Sequence, residues 1–404
     1  MSTSFIYHAF HLIGYQYLST KYCQGKVIIS IQKNPSKQCC PDCKSSEFIC
    51  RGKIHRLIKT LPIGKKTVFL DVTIQRIQCM ICNCVKQEKL EFADPKKTYT
   101  RSFERYVLEL SKLMTIQDVA QHLGMSWETV KDIQKRYLNK HFRKPKLKHL
   151  KQLAIDEISV GKRHKYLTIV LDLLSGAVVF IGNGKGSNSL QPFWKKLNVS
   201  GAKVEAVAID MSPAYIDAVQ TNLSKATIVF DHFHVIKYFN DKLSDLRREL
   251  FRETNDVLHK EVLKGTRWLL LKNPENLDEE KNEKQRLDEA LTINKPLATA
   301  YYLKEDLRKL WSKKTKNDAE IHLDHWIAKA SASGIKMLIK FANTLASHRT
   351  GILAYYDYPI STGPLEGVNN KIKTMKRQAY GYRDQEFLKL KIFAIHQSKY
   401  ALIG

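Results

Sequence analysis

The chain has 404 residues, and its hydrophobic content of 43% is typical of a folded protein rather than a disordered one. No apolar run approaches the roughly 20 residues that a membrane-spanning helix needs, and the first residues lack the pattern of a secretory signal. The formal net charge of +27, from 67 Lys and Arg against 40 Asp and Glu, favours nucleic acid as the partner over a membrane surface. We therefore expect a cytoplasmic protein with no membrane partner.

Residues 1–98 are predicted to form a small β-rich domain that binds zinc. The segments GKVIISIQK and KTVFLDVTIQRIQC alternate with the period of half-buried strands. All eight cysteines lie in the first 84 residues, where two Cys-x-x-Cys pairs are typical of a tetrahedral metal site. The expected ligands of one structural Zn²⁺ are Cys40, Cys43, Cys79 and Cys82. Cys39 and Cys84 lie next to the pairs, so the sequence leaves open which sulfur is the ligand at each knuckle. Four thiols that bind no metal are the alternative.

Residues 99–148 are predicted to form a helix-turn-helix domain. An apolar face at helical spacing is followed by Gly124, which permits a tight turn, and by Ser126, the cap of a second helix. We expect Trp127, Val130 and Ile133 to point into the core. The side chains of this second helix expected to contact DNA are Ser126, Thr129, Lys131 and Lys135. An ordinary helical hairpin is the alternative.

From residue 149 the pattern becomes α/β. Three strands, a helix, a strand, a helix, a strand and a helix follow one another over residues 149–239, which is the element order of an RNase H-like domain. Residues 240–358 break this rhythm with charged helices, and we interpret them as an all-α insertion. Residues 359–404 are predicted to return to the α/β core.

Two aspartates lie in or directly after predicted buried strands. Asp156 belongs to LAIDEIS and Asp210 ends VEAVAID. Burying a carboxylate costs free energy unless a positive charge lies beside it. Two carboxylates that converge repel each other, and a divalent cation between them relieves that repulsion. Each acid alone is equally explained by a turn or a salt bridge. Asp231 in DHFHVIK is the rival to Asp210, with His234 beside it, but it is equally a helix N-cap.

The segment PISTGPLEGVNNKIKTMKRQ carries Glu366 at the start of a predicted helix. With Gly363 as N-cap and Pro364 in first position, Glu366 takes the third position, where a carboxylate suits the helix dipole. An apolar stripe predicts one buried face. The polar stripe beside it, which suits a metal ligand followed by phosphate contacts, consists of Glu366, Asn369, Asn370, Lys373, Lys376 and Arg377. Helix capping for the acid and a solvated basic face for the cations are the alternatives.

The segments IDEIS, AIDMSPAY, FDHFHVIK and STGPLEGVNNKIKTMKRQAYGYR resemble the DDE transposases of bacterial insertion sequences, and they match best the ISL-three family. The resemblance extends over nearly the whole chain, and its most specific element is Glu-Gly-x-Asn-Asn. It implies that Asp156, Asp210 and Glu366 are the catalytic triad. One departure is the crowded second knuckle, where Asn83 and Cys84 follow Cys82.

The resemblance also implies the reaction and its partners. Two Mg²⁺ or Mn²⁺ ions per active site, both bridged by Asp156, would support DNA cleavage and strand transfer by phosphoryl transfer. The N-terminal modules would recognise terminal inverted repeats in double-stranded DNA, and the enzyme would act on target DNA as a homodimer or larger assembly in the bacterial nucleoid. The tryptophans of the insertion are expected to pack in its core, although stacking on distorted bases is a further hypothesis.

Two other functions share part of this pattern. A DNA-binding repressor with an inactive nuclease-like domain would need the charge, the zinc module and the helix-turn-helix, but not all three acids. An RNase H-like nuclease without strand transfer would need the acids, but it would not join DNA ends.

Overall fold

The computed structural model describes residues 4–161 and 165–396, which form two compact units. The first unit contains residues 4–143 and 374–391, and the second contains residues 144–161, 165–373 and 392–396. None of the helices described in these ranges is long and apolar enough to serve as a membrane span.

The first unit contains a five-stranded sheet whose strand order is β1-β2-β4-β3, with β5 pairing with β4. The strands are β1 (Tyr15–Cys23), β2 (Lys26–Lys33), β3 (Phe48–Ile63), β4 (Lys66–Cys79) and β5 (Val85–Gln87). Alternate residues of β2 and β4 are buried, because successive side chains of a strand point to opposite faces. Helix α1 (Phe5–Phe10) packs on this core with Ile6 and Phe10. The alternation in the sequence correctly predicted β2 and β4.

Three helices follow, namely α2 (Arg101–Leu110), α3 (Ile116–Leu123) and α4 (Trp127–Phe142). Gly124 ends α3 in the left-handed conformation with φ 56°, and the Ser126 hydroxyl accepts a hydrogen bond from the Thr129 N–H over 3.3 Å. Val130 and Ile133 are buried as predicted. The prediction for Trp127 is wrong, since its side chain is 49% exposed. Met125, just before the helix, packs against the core instead.

The second unit has a five-stranded sheet of order β10-β9-β6-β7-β8. Its strands are β6 (Gln152–Gly161), β7 (Lys165–Asp172), β8 (Val178–Asn183), β9 (Ala206–Ile209) and β10 (Thr227–Phe230). Strands β6, β7 and β8 pair antiparallel, whereas β9 is parallel to both β6 and β10. Helices α5 (Gln191–Ser200), α6 (Pro213–Asn222) and α7 (His232–Glu253) alternate with the last strands. The predicted order of strands and helices is therefore confirmed for this segment.

Seven helices come between α7 and the C-terminal helices. They are α8 (Val257–Gly265), α9 (Arg267–Leu271), α10 (Glu283–Ile293), α11 (Lys295–Arg308), α12 (Lys316–Ala332), α13 (Lys336–Ser347) and α14 (Arg349–Leu353). The chain then forms α15 (Gly363–Gln378) and α16 (Gln385–Phe393). Among the tryptophans of this block, Trp326 is fully buried and donates to the Leu303 carbonyl over 2.8 Å, and Trp311 packs against the core, whereas Trp268 is 65% exposed. Two of the three tryptophans therefore pack in the core as expected, and Trp268 does not.

Candidate active site and cysteine cluster

Two of the predicted catalytic acids lie on neighbouring parallel strands. In the β6–β9 pair, Gln152 is opposite Ala206 and Ala154 is opposite Ala208, an offset of 54 residues in both cases. Asp156 and Asp210 differ by the same offset, so Asp156, within β6, lies near Asp210, which directly follows the end of β9. Adjacent strands are about 4.8 Å apart, which is close enough for the two carboxylates to share a cation.

The carboxylate of Asp156 is partly buried and accepts a hydrogen bond from a residue far away in the sequence. The Asn369 amide donates from Nδ2 to Asp156 Oδ2 over 2.9 Å. Burial raises the pKa of Asp156; the Glu157 N–H and the nearby His234 lower it, and the Asp210 carboxylate raises it further. The effect of Asp210 on the pKa of Asp156 follows from the proximity of the two carboxylates.

The Asp210 carboxylate is oriented by the turn that follows its strand. Its Oδ1 accepts a hydrogen bond from the Ser212 N–H over 3.0 Å. Ser212 takes the N-cap position of α6 as predicted, but in the described structure its side chain makes no capping hydrogen bond. The turn therefore orients the acid through a backbone N–H.

Glu366 lies in the first turn of α15, and this helix begins one residue earlier than predicted. The Glu366 N–H donates to the Thr362 carbonyl over 2.9 Å, so Thr362 takes the N-cap position and Glu366 is the fourth helical residue. Its side chain is exposed. Glu366 and Asn369 are three residues apart and therefore neighbours on one helix face. Because Asn369 contacts Asp156, the face that carries Glu366 adjoins the two aspartates.

The rest of the α15 polar stripe divides into exposed and buried residues. Asn370, Lys373 and Arg377 are exposed as predicted, and Lys376 is partly buried, which lowers its pKa. Asn369 is a correction, because it is only 5% exposed and does not belong to the solvent-facing stripe. Its Oδ1 is buried and has no hydrogen-bond partner among the described residues. A buried amide oxygen beside carboxylates suits a hydrogen bond from water that is bound to a cation.

Asp231, the rival second acid, is used to join two elements. It is only 1% exposed at the end of β10, and its Oδ2 accepts a hydrogen bond from the Thr362 hydroxyl over 2.7 Å. His232 Nδ1 lies 3.4 Å from Oδ1, and His234 Nε2 lies 4.0 Å from Oδ2. Asp231 precedes α7, but its side chain makes no capping bond to any residue that the structure describes. It therefore ties β10 to the residue before α15.

The four predicted zinc ligands come together in the first unit. Cys40, Cys43, Cys79 and Cys82 form the one group of three or more His, Cys, Asp or Glu in the described ranges whose ligand atoms all lie within 4.8 Å of one another. The carboxylate oxygens of the three candidate catalytic acids do not all lie within this distance of one another. Tetrahedral coordination with Zn–S bonds of about 2.3 Å separates the sulfurs by about 3.8 Å, so this cluster fits a zinc ion.

The two knuckles share one backbone geometry, and a fifth sulfur lies beside them. Lys44 and Asn83 directly follow the second cysteine of each pair, and both are left-handed, with φ of 65° and 54°. Cys84 Sγ lies 3.3 Å from Cys40 Sγ, although Cys84 does not belong to the group of four. The geometry therefore favours Cys82 over Cys84 as the fourth ligand.

The lysines of α4 that were expected to reach DNA form ion pairs within the first unit. Lys131 lies 3.0 Å from Asp384, and Lys135 lies 3.2 Å from Asp384 and 2.7 Å from Glu386. Asp384 also accepts a hydrogen bond from the Phe387 N–H over 3.0 Å at the start of α16. The sequence analysis did not identify Asp384 and Glu386 as partners of these lysines, because acidic residues are common at the start of a helix, where they stabilise the helix itself.

Comparisons with known proteins agree with the arrangement of elements. Residues 153–392, more than half of the chain, match a family model described as "Transposase", and residues 88–138 match one described as "Helix-turn-helix domain of transposase family ISL3". A transposase for insertion sequence element IS1001 from Bordetella parapertussis is 35% identical over 359 residues, which is 87% of this chain and 88% of that protein.

Two further proteins are similar at greater distance. A transposase for insertion sequence element IS1557 from Mycobacterium tuberculosis is 28% identical over 369 residues, covering 85% of this chain and 82% of that protein. A solved Drosophila P element transposase strand transfer complex aligns with a TM-score of 0.40 at 10% identity, covering 74% of this chain and 93% of that chain, which is too remote to carry an argument. From the family models and the first relative, the chain belongs to transposase family ISL3, the ISL-three family of DDE transposases.

Proposed function

We propose that this transposase cleaves DNA at the ends of its insertion sequence and transfers the cleaved strands to target DNA, with Asp156, Asp210 and Glu366 as catalytic acids. The observation that carries the proposal is the β6–β9 register, whose offset of 54 residues is also the offset between Asp156 and Asp210. The Asn369 hydrogen bond supports the third assignment, because it connects Asp156 to the helix of Glu366.

The second unit is proposed to be an RNase H-like catalytic domain. Three antiparallel strands followed by two parallel ones, in the order β10-β9-β6-β7-β8, support this assignment. Helices α8 to α14 come between α7 and α15 in the chain, which supports an all-α insertion over residues 240–358. The acids would then lie on core elements, while the insertion would add a wall to the site.

The proposed chemistry depends on divalent cations held by oxygen ligands. Carboxylates from three separate elements suit Mg²⁺ or Mn²⁺. Asp156, Asp210 and Glu366 would hold two such ions, which would supply activation of the attacking water or DNA 3′-hydroxyl and charge stabilisation at the leaving 3′-oxygen. Asn369 holds the Asp156 carboxylate in one orientation, as the neighbours of metal ligands commonly do. Asn370 and Lys373 bind DNA phosphates from the exposed face of the same helix.

The first unit is proposed to recognise the terminal inverted repeats. One structural Zn²⁺ on Cys40, Cys43, Cys79 and Cys82 would hold the two knuckles together, and the helix-turn-helix would contact the duplex. Because two element ends must be joined in one reaction, the active form is proposed to be a homodimer or larger.

The test is cleavage and joining of duplex DNA from the ends of the element that encodes the chain, in Mg²⁺. We expect Asp156→Asn, Asp210→Asn and Glu366→Gln each to lower cleavage about a thousandfold or more, because each removes a ligand for the metal ions. Asp231→Asn should keep activity wherever the variant folds. Full activity in Glu366→Gln would contradict the triad. If folded Asp231→Asn is inactive and Asp210→Asn is active, the second catalytic acid is Asp231 and not Asp210.

The products separate the alternative functions. Cleaved DNA without joined ends would indicate a nuclease, and specific binding to the ends without cleavage by wild-type protein would indicate a repressor. Chelation of divalent cations with EDTA during the reaction should abolish both cleavage and joining.

A further inference from the structure

A groove in the second unit begins at Asp210 and runs between two helices. On α7, the residues His234, Lys237, Tyr238 and Asp241 follow the spacing i, i+3, i+4 and i+7 and therefore share one face. Thr344 and His348 stand opposite on α13 and at its end. Together with the turn that holds Asp210, these residues line a cavity of about 420 Å³.

The side chains of the groove are held by packing behind them. The Tyr238 ring stacks on Phe341 with centroids 5.5 Å apart, and the Lys242 ammonium lies 5.4 Å from the centre of the same ring. The His348 ring meets the edge of Phe230 at 5.0 Å. These contacts fix the orientation of two wall residues, so the groove is a preformed feature rather than a gap between loops.

The chemistry of the walls suits a sugar–phosphate backbone. Lys237 is exposed and cationic, and the Tyr238 hydroxyl and the two imidazoles can donate hydrogen bonds, whereas the Thr344 hydroxyl already donates to the Lys340 carbonyl over 3.0 Å. An apolar ligand would find few partners, because Met211 is the single aliphatic side chain among the groove residues described. Asp241 is the unfavourable member, since its carboxylate repels phosphate.

We propose that this groove binds the DNA strand on one side of the scissile phosphate, with Lys237 as a direct phosphate contact. The proposal rests on the proposed function, because it takes Asp210 as the acid at which the strand is cleaved. A strand that leaves the acid pair along α7 would then pass from metal ligands to the Lys237 ammonium and the Tyr238 hydroxyl. Helix α13, which belongs to the block interpreted as an insertion, would thereby form part of the DNA-binding surface.

The test is equilibrium binding of wild-type protein and variants to a duplex from the end of the encoding element, without divalent cations and over a series of salt concentrations. Lys237→Ala should weaken binding about threefold to tenfold and reduce the slope of log K against log salt by about one. Lys237→Arg should restore most of the affinity. Asp241→Asn should tighten binding about twofold to fivefold, because it removes a repulsive charge from the groove.

Lys295→Ala is the matched control, since it removes an equal charge from an exposed position on α11 outside the groove. The proposal is overturned if Lys237→Ala binds like wild type, or if Lys295→Ala weakens binding equally, because net charge alone would then explain the effect. A failure of the proposed function is distinguishable, because it would appear as wild-type protein that binds the duplex and does not cleave it in Mg²⁺.

Discussion

Asn369 shows how one buried amide can connect two parts of the candidate site. Its Nδ2 donates to Asp156 over 2.9 Å, and its Oδ1 is buried with no partner in the described part of the chain. A partner that orients a metal ligand is commonly needed for full activity even though it does not bind the metal itself. We therefore treat Asn369 as a positioning residue for Asp156.

At this scale we predict that Asn369→Ala lowers the rate of DNA cleavage in Mg²⁺ by about tenfold to a hundredfold, because Asp156 loses its orienting hydrogen bond. The measurement is the initial cleavage rate over a series of Mg²⁺ concentrations, with circular dichroism to establish folding. Asn222→Ala is the control, since that amide donates to the Ala218 carbonyl within α6. A folded Asn369→Ala with the wild-type rate and Mg²⁺ requirement would contradict the positioning role.

The two cysteine knuckles are the element whose four clustered sulfurs fit a zinc ion. Cys40 and Cys79 are buried, whereas Cys43 and Cys82 are exposed, so the cluster lies at the protein surface with two of its four residues buried. A structural zinc site contributes directly to the folding free energy of a small domain. Cys84 lies next to the cluster without belonging to it.

We predict that purified wild-type protein carries one zinc ion per chain, that Cys79→Ser loses it, and that Cys84→Ser retains it. The reason is that Cys79 supplies one of four sulfurs that all lie within 4.8 Å of one another. Atomic emission analysis of the proteins gives the zinc content, and Cys50→Ser, at an exposed thiol, is the control. Zinc loss in Cys84→Ser with zinc retained in Cys82→Ser would reverse the assignment of the fourth ligand.

Helix α4 and the start of α16 are joined by charge. Burial by itself raises the pKa of Asp384, but the Phe387 N–H and the side chains of Lys131 and Lys135 outweigh it and lower the pKa to about 2. A phosphate contact by either lysine must compete with these ion pairs. The lysines were correctly placed outside the helix core, but the acids that pair with them could not be predicted from α4 alone.

We predict that Asp384→Asn is less stable than wild type by about 1 kcal/mol near neutral pH, after allowance for partial exposure of the ion pairs. A carboxyl whose pKa is depressed by folding contributes stability above its ordinary pKa of about 3.9. The difference should therefore be constant from about pH 7 to pH 5 and shrink as the pH falls from about 4 toward 2. Denaturant unfolding of both proteins across this range measures it, and a difference that does not change with pH would contradict the ion-pair explanation.

The net charge is a property of the whole molecule. At +27, a compact protein repels itself, and a polyanion relieves that repulsion. We predict that affinity for duplex DNA falls about a thousandfold or more between about 50 and 200 mM salt, as counterion release at six or more phosphates requires. Fluorescence anisotropy with labelled duplex measures the slope, and a neutral peptide tag that leaves the charge unchanged should not alter it. A slope near zero would exclude phosphate contacts as the main source of affinity.

Much of the fold could be read from local patterns, because periodicity and turn residues act over a few positions. Strands β2 and β4, the Gly124 turn, the Ser126 cap and the order of strands and helices from β6 to α7 were all predicted in this way. Strands β1 and β3 were not, since β3 is mostly exposed and lacks a simple alternation. Trp127 was misplaced because helical spacing cannot show where a core ends.

By itself, the sequence determined the charge, the clustered cysteines, the helix-turn-helix, the succession of strands and helices along the chain from β6 to α7, and the acids worth testing, because each is a matter of composition or short-range spacing. Only the tertiary structure decided which of these residues meet. The register of β6 against β9, the burial of Asn369 against Asp156, the bond from Thr362 to Asp231 and the pairing of Lys131 with Asp384 all join residues far apart in the chain. Such contacts depend on the packing of whole elements, and no local pattern encodes that packing.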